Sequence, residues 1–217
     1  MPCAAPIGAG GVLARCYHSH VKRSPRRTIP RHLNAVFLDR DGVLNEKKPE
    51  GQYVASWADF HVLPGVPEAL ARLNRAGLRV IVVSNQRGIA LGIYSAADVE
   101  AIHAAFQRLL GAYGARVDAF YICPHDTGQC NCRKPLPGLF EQAQADFPAL
   151  SAAASVMIGD TPADIEFGRR LGMTTICIAG DPALHKPGAI EAREMADLCF
   201  GSLPQAVDAL LARLAPH

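Results

Sequence analysis

Residues 35–45 read AVFLDRDGVLN: four apolar residues, then two aspartates two positions apart, then a glycine. A short apolar run without polar alternation is the pattern of a strand covered on both faces, and such strands belong to parallel sheets flanked by helices. Asp39 and Asp41 then fall just beyond the strand's C-terminal end, the edge at which open α/β sheets bind ligands. Two carboxylates so close repel unless a cation or a proton separates them, and an oxygen-rich pocket suits Mg²⁺. Taken alone, Asp-x-Asp-Gly fits a loop turn or a helix cap equally well, and the remainder of the chain decides between them.

Working outward, strand and helix patterns alternate. Pro64-Gly65 opens a helix in which Val66, Leu70 and Leu73 recur at helical spacing, and Gly77 fits its C-terminal end. A β-branched strand spans 78–83 and ends in Ser84-Asn85-Gln86. Ser95 caps a helix running through Val99, Ile102 and Phe106 to Gly111, and residues 117–122 form the next strand. Pro137 opens a further helix, 156–158 is a strand, 162–171 a helix stopped by Gly172, 174–179 a strand and 203–214 a terminal helix. This order predicts a doubly wound, mostly parallel Rossmann-like α/β sheet. No linker or tandem repeat divides it.

The chain has 217 residues, 49% of them hydrophobic, enough for one sizeable core. Its charge is uneven. Residues 1–34 carry Arg15, Lys22, Arg23, Arg26, Arg27 and Arg31 with no acid, leaving 16 basic against 20 acidic residues from position 35 onward. We read 1–34 as a basic, flexible extension and 35–217 as the catalytic domain; an organelle presequence or a phosphate-binding arm is the alternative for the former. No long uncharged apolar window predicts a membrane span, and no secretion signal is evident, so a cytoplasmic protein is expected. The body lacks a basic track with interleaved aromatics, which argues against nucleic acid as a partner, and no heptad pattern argues against a monomer.

Seven cysteines do not form a disulfide framework here. Cys123, His125, Cys130 and Cys132 lie in CPHDTGQCNC, and C-x-H-x4-C-x-C can fold around one tetrahedral ion; three thiolates and an imidazole favour Zn²⁺. Four protein ligands leave no open position, so this zinc is expected to be structural. Cys177 reads as a small buried residue, whereas Cys3, Cys16 and Cys199 have no assigned role.

The polar residues at the strand ends are Asp39, Asp41, Ser84, Asn85, Arg133, Lys134 and Asp160, and the alternation brings them to one sheet edge. Their types fit phosphoryl transfer from a phosphate monoester. Asp39 can attack phosphorus when Mg²⁺ and Lys134 offset the negative charge, and Asp41 can protonate the leaving oxygen and later deprotonate water. Ser84 suits a phosphoryl oxygen, Asn85 can position the acid or the substrate, and Asp160 completes a magnesium site with Asp39 and the backbone carbonyl of Asp41.

DRDGVLN, SNQRGIALG, CRKPLPG and GDTPADIEFG resemble the four signature regions of the haloacid dehalogenase superfamily of phosphatases, from about residue 35 to the end. The CPH…CNC loop resembles the branch of that superfamily containing the heptose-bisphosphate and histidinol-phosphate phosphatases. The resemblance implies Asp39 as nucleophile, Asp41 as acid and base, Ser84 and Lys134 as phosphate ligands, Asp160 as a Mg²⁺ ligand, and Cys123, His125, Cys130 and Cys132 as zinc ligands. It also implies little or no cap domain, with loops after the first two strands shaping a partly open pocket.

Within that branch the sequence resembles the heptose group more, with Arg133 offered to the remote phosphate. The expected reaction is therefore release of the 7-phosphate of D-glycero-D-manno-heptose 1,7-bisphosphate, a step toward lipopolysaccharide precursors. Histidinol phosphate is the alternative substrate, and a nucleic-acid end phosphatase or a non-catalytic binding protein are further ones. Leu91 stands where the branch has a basic residue, which removes one expected sugar or phosphate contact. Several residues have two readings. Asp160 is a metal ligand or a helix N-cap, and Asp164 supports the metal site or the helix dipole. Tyr53, Trp57 and His61 belong to the rim or to packing, and Arg87 is a weaker candidate for sugar or phosphate.

Overall fold

The computed structural model describes residues 27–180 and 188–214. Six strands form one sheet: β1 (Ala35–Leu38), β2 (Arg79–Asn85), β3 (Ala119–Cys123), β4 (Ser155–Gly159), β5 (Thr174–Ile178) and β6 (Leu198–Phe200). Their order is β3-β2-β1-β4-β5-β6, and every neighbouring pair is parallel. The sheet is thus wholly rather than mostly parallel. The order reverses between β1 and β4, and this switch point opens a crevice at the carboxyl ends of those two strands. Asp39 and Asp160 follow β1 and β4 directly, so the topology alone sets them on either side of it.

The helices are α1 (Val66–Arg75), α2 (Arg87–Ala90), α3 (Ala96–Gly111), α4 (Gly138–Asp146), α5 (Pro162–Leu171), α6 (Ala189–Met195) and α7 (Leu203–Leu214). Alternate strand residues face opposite layers. Val36, Leu38, Val80, Val82, Val156 and Ile158 pack with Leu70, Leu73, Ile102, Phe106 and Leu210 from α1, α3 and α7. Phe37, Ile81, Val83 and Met157 pack with Leu139, Phe140 and Phe167 from α4 and α5, and Cys177 with Ile165 and Ala192. Strands buried on both faces explain the continuous apolar runs in the sequence. Among the described residues no helix is long and apolar enough to cross a membrane.

Local signals fix the helix ends. Ser95 and Asp98 form a reciprocal capping box on α3, and Gly77 and Gly172 take positive φ after α1 and α5. Thr161, not Asp160, occupies the N-cap position of α5, so the cap reading of Asp160 does not hold. Among these strands and α-helices, three lie beyond the sequence reading: α2, α6 and β6. Each is short, and β6 is only partly buried, so neither has a long periodic pattern to announce it.

The expected extension over 1–34 lies mostly outside the described residues, as do Cys3 and Cys16. Its last part, 27–34, is seated on the body. Ile29 is buried, the Arg27 N–H donates to Asp197, Thr28 O accepts from Thr174, and Asn34 O accepts from Arg79. The folded body therefore begins before residue 35. Basic composition masked this, because the anchoring is by backbone, by Ile29 and by the Arg27 guanidinium, which donates to the carbonyl of Met173.

Candidate active site

Lys134 organises the crevice. It is buried, and its ammonium donates to Asp39 Oδ1 (2.8 Å), to the carbonyl of Val83 (2.6 Å) and to Asp164 Oδ1 (2.6 Å). Three donors thus meet three acceptors, which fixes the side chain. Asn85 holds the Lys134 backbone from both sides, its Oδ1 accepting from Lys134 N–H (3.0 Å) and its Nδ2 donating to Lys134 O (3.1 Å). Asn85 thus holds Lys134 in place, and it also lines the cavity. Asp164 closes the first turn of α5, its Oδ2 accepting from the Thr161 N–H and hydroxyl, while its Oδ1 takes Lys134.

Asp39, Asp160 and Asp164 offer carboxylate oxygens within 4.8 Å of one another. Burial pushes the Asp39 carboxyl up to about 7; Lys134 opposes this, and Asp164, Asp160 and Asp41 add to it. Burial likewise raises Asp160, against Lys47, whereas Lys134 holds Asp164 below the usual carboxylate range despite burial. The cluster is short of positive charge, and its all-oxygen donors are those a hard divalent cation takes. Two further observations fit such an ion. Asp160 Oδ1 is buried with no hydrogen-bond partner among the described residues. Gly42, at φ +100°, lies so close that a Cβ there would stand 2.5 Å from Asp160 Oδ2.

Asp41 stands apart from this cluster. Its Oδ1 accepts from Asn45 Nδ2 (2.9 Å), its Oδ2 from Gln86 Nε2 (3.2 Å), and Arg40 contacts both oxygens. Gln86 also donates to the buried hydroxyl of Ser84 (2.8 Å) and accepts from Tyr94 OH (2.7 Å). Ser84 itself does not line the cavity.

The cavity has a volume of about 340 Å³, and Asp39, Asp41, Lys47, Tyr53, Arg133 and Lys134 are among its walls. Arg133 reaches the carbonyl of His125 at 3.5 Å. Tyr53 packs edge-on to Tyr94, but Trp57 stacks on Phe60 and His61 bonds Glu46 and Ala58, so these two serve packing. Arg87 is paired with Asp126 through two hydrogen bonds and does not line the cavity; Leu91 is exposed and does not line it either. Sequence reasoning missed Arg40, Lys47, Lys48, Gln86 and Tyr94. Arg40, Lys47 and Lys48 flank the DxDG motif closely enough that adjacency was the available signal.

Cys123, His125, Cys130 and Cys132 come together after β3. Cys130 Sγ lies 3.5 Å from Cys123 Sγ and 3.3 Å from Cys132 Sγ, and His125 Nδ1 lies 3.4 Å from Cys132 Sγ and 3.8 Å from Cys123 Sγ. Tetrahedral zinc with ordinary bond lengths requires about 3.8 Å between sulfurs and about 3.5 Å between sulfur and nitrogen, so the donor set fits. The Arg133 N–H points at Cys130 Sγ (3.4 Å), joining this loop to the residue beside Lys134.

Its relatives show the chain to be a phosphoric monoester hydrolase, here with an aspartate pair at the switch point of a parallel sheet, a buried lysine and an acidic cluster. The family model for haloacid dehalogenase-like hydrolases matches residues 27–172, and the chain belongs to that family. It is similar to a D-glycero-alpha-D-manno-heptose-1,7-bisphosphate 7-phosphatase of Mycobacterium tuberculosis, 37% identical over 173 residues, covering 79% of this chain and 88% of the relative. A D-glycero-D-manno-heptose-1,7-bisphosphate 7-phosphatase of Thermosynechococcus vestitus is 37% identical over 198 residues, covering 84% and 98%. Among solved structures, the D,D-heptose 1,7-bisphosphate phosphatase of B. bronchiseptica, complexed with magnesium and phosphate, superposes with a TM-score of 0.73 at 28% identity, covering 83% of this chain and 99% of that one.

Proposed function

We propose that the protein removes the 7-phosphate of D-glycero-D-manno-heptose 1,7-bisphosphate, with Asp39 as nucleophile, Asp41 as acid and base, and a structural zinc in the cysteine loop. The observation that carries this reading is the division of labour in one cavity. Asp39 is bonded to a fixed ammonium inside an acidic cluster, while Asp41, two residues on, is held by Arg40, Asn45 and Gln86 outside it. Relatives named for this reaction support the choice of substrate.

Asp39, Asp160 and the backbone of Asp41, with Asp164 beside them, would hold a Mg²⁺ ion, which would supply charge neutralisation for the nucleophile and the phosphoryl group. Lys134 keeps Asp39 oriented and offsets its charge. Asp39 attacks phosphorus, the ester P–O bond breaks, and Asp41 gives its proton to the departing alkoxide. Asp41 then takes a proton from water, which attacks the aspartyl-phosphate, releasing orthophosphate and restoring Asp39. Ser84 and Asn85 are assigned to the phosphoryl end, Asn85 through Lys134, and Arg133 to the remote phosphate.

The test is hydrolysis of heptose bisphosphate and histidinol phosphate side by side, with and without Mg²⁺. Preference for the heptose and dependence on Mg²⁺ are expected. A preference of at least about tenfold in kcat/KM for histidinol phosphate, roughly 1.4 kcal/mol at the transition state, overturns the assignment.

A further inference from the structure

Lys47 lies in the loop between β1 and α1, and its Nζ stands 2.5 Å from Oδ2 of Asp160. Among the three carboxylates of the cluster its bonded partner is Asp160. Lys47 lines the cavity and Asp160 does not, so the ammonium covers the very group that is short of a partner on its other oxygen.

We infer that Lys47 is a resident counter-cation of the Asp39–Asp160–Asp164 cluster, displaced from Asp160 when a divalent cation binds, and that its released ammonium then becomes a phosphate ligand in the same cavity. This rests on the reading given under Proposed function. The reasoning is one of charge. Lys134 and Lys47 leave three carboxylates one positive charge short, whereas a divalent cation in place of Lys47 meets that need, and a phosphate dianion arriving in the cavity creates a new one. Lys134, buried and with its three N–H bonds already taken, cannot take up the whole of it. Lys47 can take a share: it has one carboxylate partner, it is partly exposed, and an irregular loop carries it. Lys48, next in sequence and also on the cavity wall, pairs instead with Asp59 on the far side of the loop, at 3.2 Å.

Isothermal titration of Mg²⁺ into the full, zinc-loaded chain tests the displacement, with Lys47→Met, Lys47→Gln and Lys48→Met compared. Loss of a competing internal cation should tighten Mg²⁺ binding at least about fivefold in both Lys47 variants, whereas loss of a screened neighbouring charge in Lys48→Met should change it less than about twofold. Orthophosphate titrated into the Mg²⁺-saturated proteins should bind at least about fivefold more weakly to the Lys47 variants. Equal Mg²⁺ affinity in the Lys47 and Lys48 variants overturns the displacement, and unchanged orthophosphate affinity overturns the handover. Asp160→Asn separates the two levels: if it binds Mg²⁺ like the parent, the metal-site reading itself fails whatever Lys47 does.

Discussion

Arg40 grips the carboxylate of its own neighbour, Asp41, with Nε 3.2 Å and Nη2 3.0 Å from Oδ1 and Nη2 2.9 Å from Oδ2. Arg40 is only 1% exposed, and its guanidinium lies 5.8 Å from the centre of the Phe60 ring. A planar fork held this way sets the direction of the Asp41 carboxylate, the proposed acid, which a point charge on a flexible stem cannot do. Arg40→Lys is therefore expected to lower kcat about 10- to 100-fold, or roughly 1.4–2.7 kcal/mol, while Mg²⁺ affinity stays within about twofold. Single-turnover hydrolysis and metal titration of the variant check both halves; an unchanged kcat refutes the positioning role.

Gly42 carries a different constraint. Its φ of +100° suits glycine, and the nearest atom to an added Cβ is Asp160 Oδ2 at 2.5 Å, on a side chain otherwise packed in the crevice. Gly42→Ala must move either the loop or Asp160. The expected result is a Mg²⁺ affinity at least about tenfold weaker, together with a loss of about 1–3 kcal/mol in stability from the strained backbone. Metal titration and urea unfolding measure these separately, and an alanine variant that binds Mg²⁺ normally would show that Asp160 is not the ligand.

Asp39→Asn removes the oxygen proposed as nucleophile but keeps the shape and its hydrogen-bonding capacity toward Lys134. Burial already disfavours charge at this position, so the neutral side chain costs the fold little. We expect native thermal stability with no phosphoenzyme trapped on rapid quenching and turnover at least about a thousandfold slower. Labelling at the parent rate would mean that another group attacks phosphorus.

Much of this arrangement was legible in the sequence because the switch point is written as strand-terminal polarity. Asp39, Asp160 and Lys134 each follow a recognisable apolar run or loop motif, and parallel topology brings those ends together without any long-range guess. Gln86 and Arg40 were not legible as partners, since their significance depends on which way Asp41 points, and only packing of Phe60 and Tyr94 decides that. The bond of Asn85 to Lys134 was not legible for a related reason: its amide faces a backbone 49 residues away, a contact with no local signature. The edge strand β6 escaped because three partly exposed residues give too short a pattern.

The cysteine loop predicts a separation of stability from chemistry. Gly138, at the start of α4, leaves room for the loop backbone: a Cβ there would stand 2.8 Å from Asn131 O and from Cys132 Cα. The loop in turn runs into Arg133 and Lys134. Cys130→Ser should lose bound zinc and several degrees of thermal stability, while kcat measured well below the transition falls less than about threefold. Metal content by elemental analysis and a thermal melt are the checks, and unchanged values for both refute the zinc staple.

His103 gives the fold a pH dependence of predictable sign. It lies buried on α3, its ring stacked 4.2 Å from that of Phe120, with Nε2 lacking a partner among the described residues. Burial pulls its pKa down to about 3; Arg40 adds to the effect, and Asp41 opposes it. The unfolded chain binds this proton near pH 6.5, whereas the folded one does not until far lower, so stability contributed by the neutral ring is intact above about pH 6.5 and is lost as pH falls below it. From pH 7.5 to 5.5 the loss from this one group is roughly 1 kcal/mol. Urea unfolding at the two values, in the parent and in His103→Phe, isolates it from the carboxylates and the zinc ligands, which both proteins share. The parent should lose more stability than the variant by about that amount, and equal losses would mean that His103 takes up its proton without unfolding.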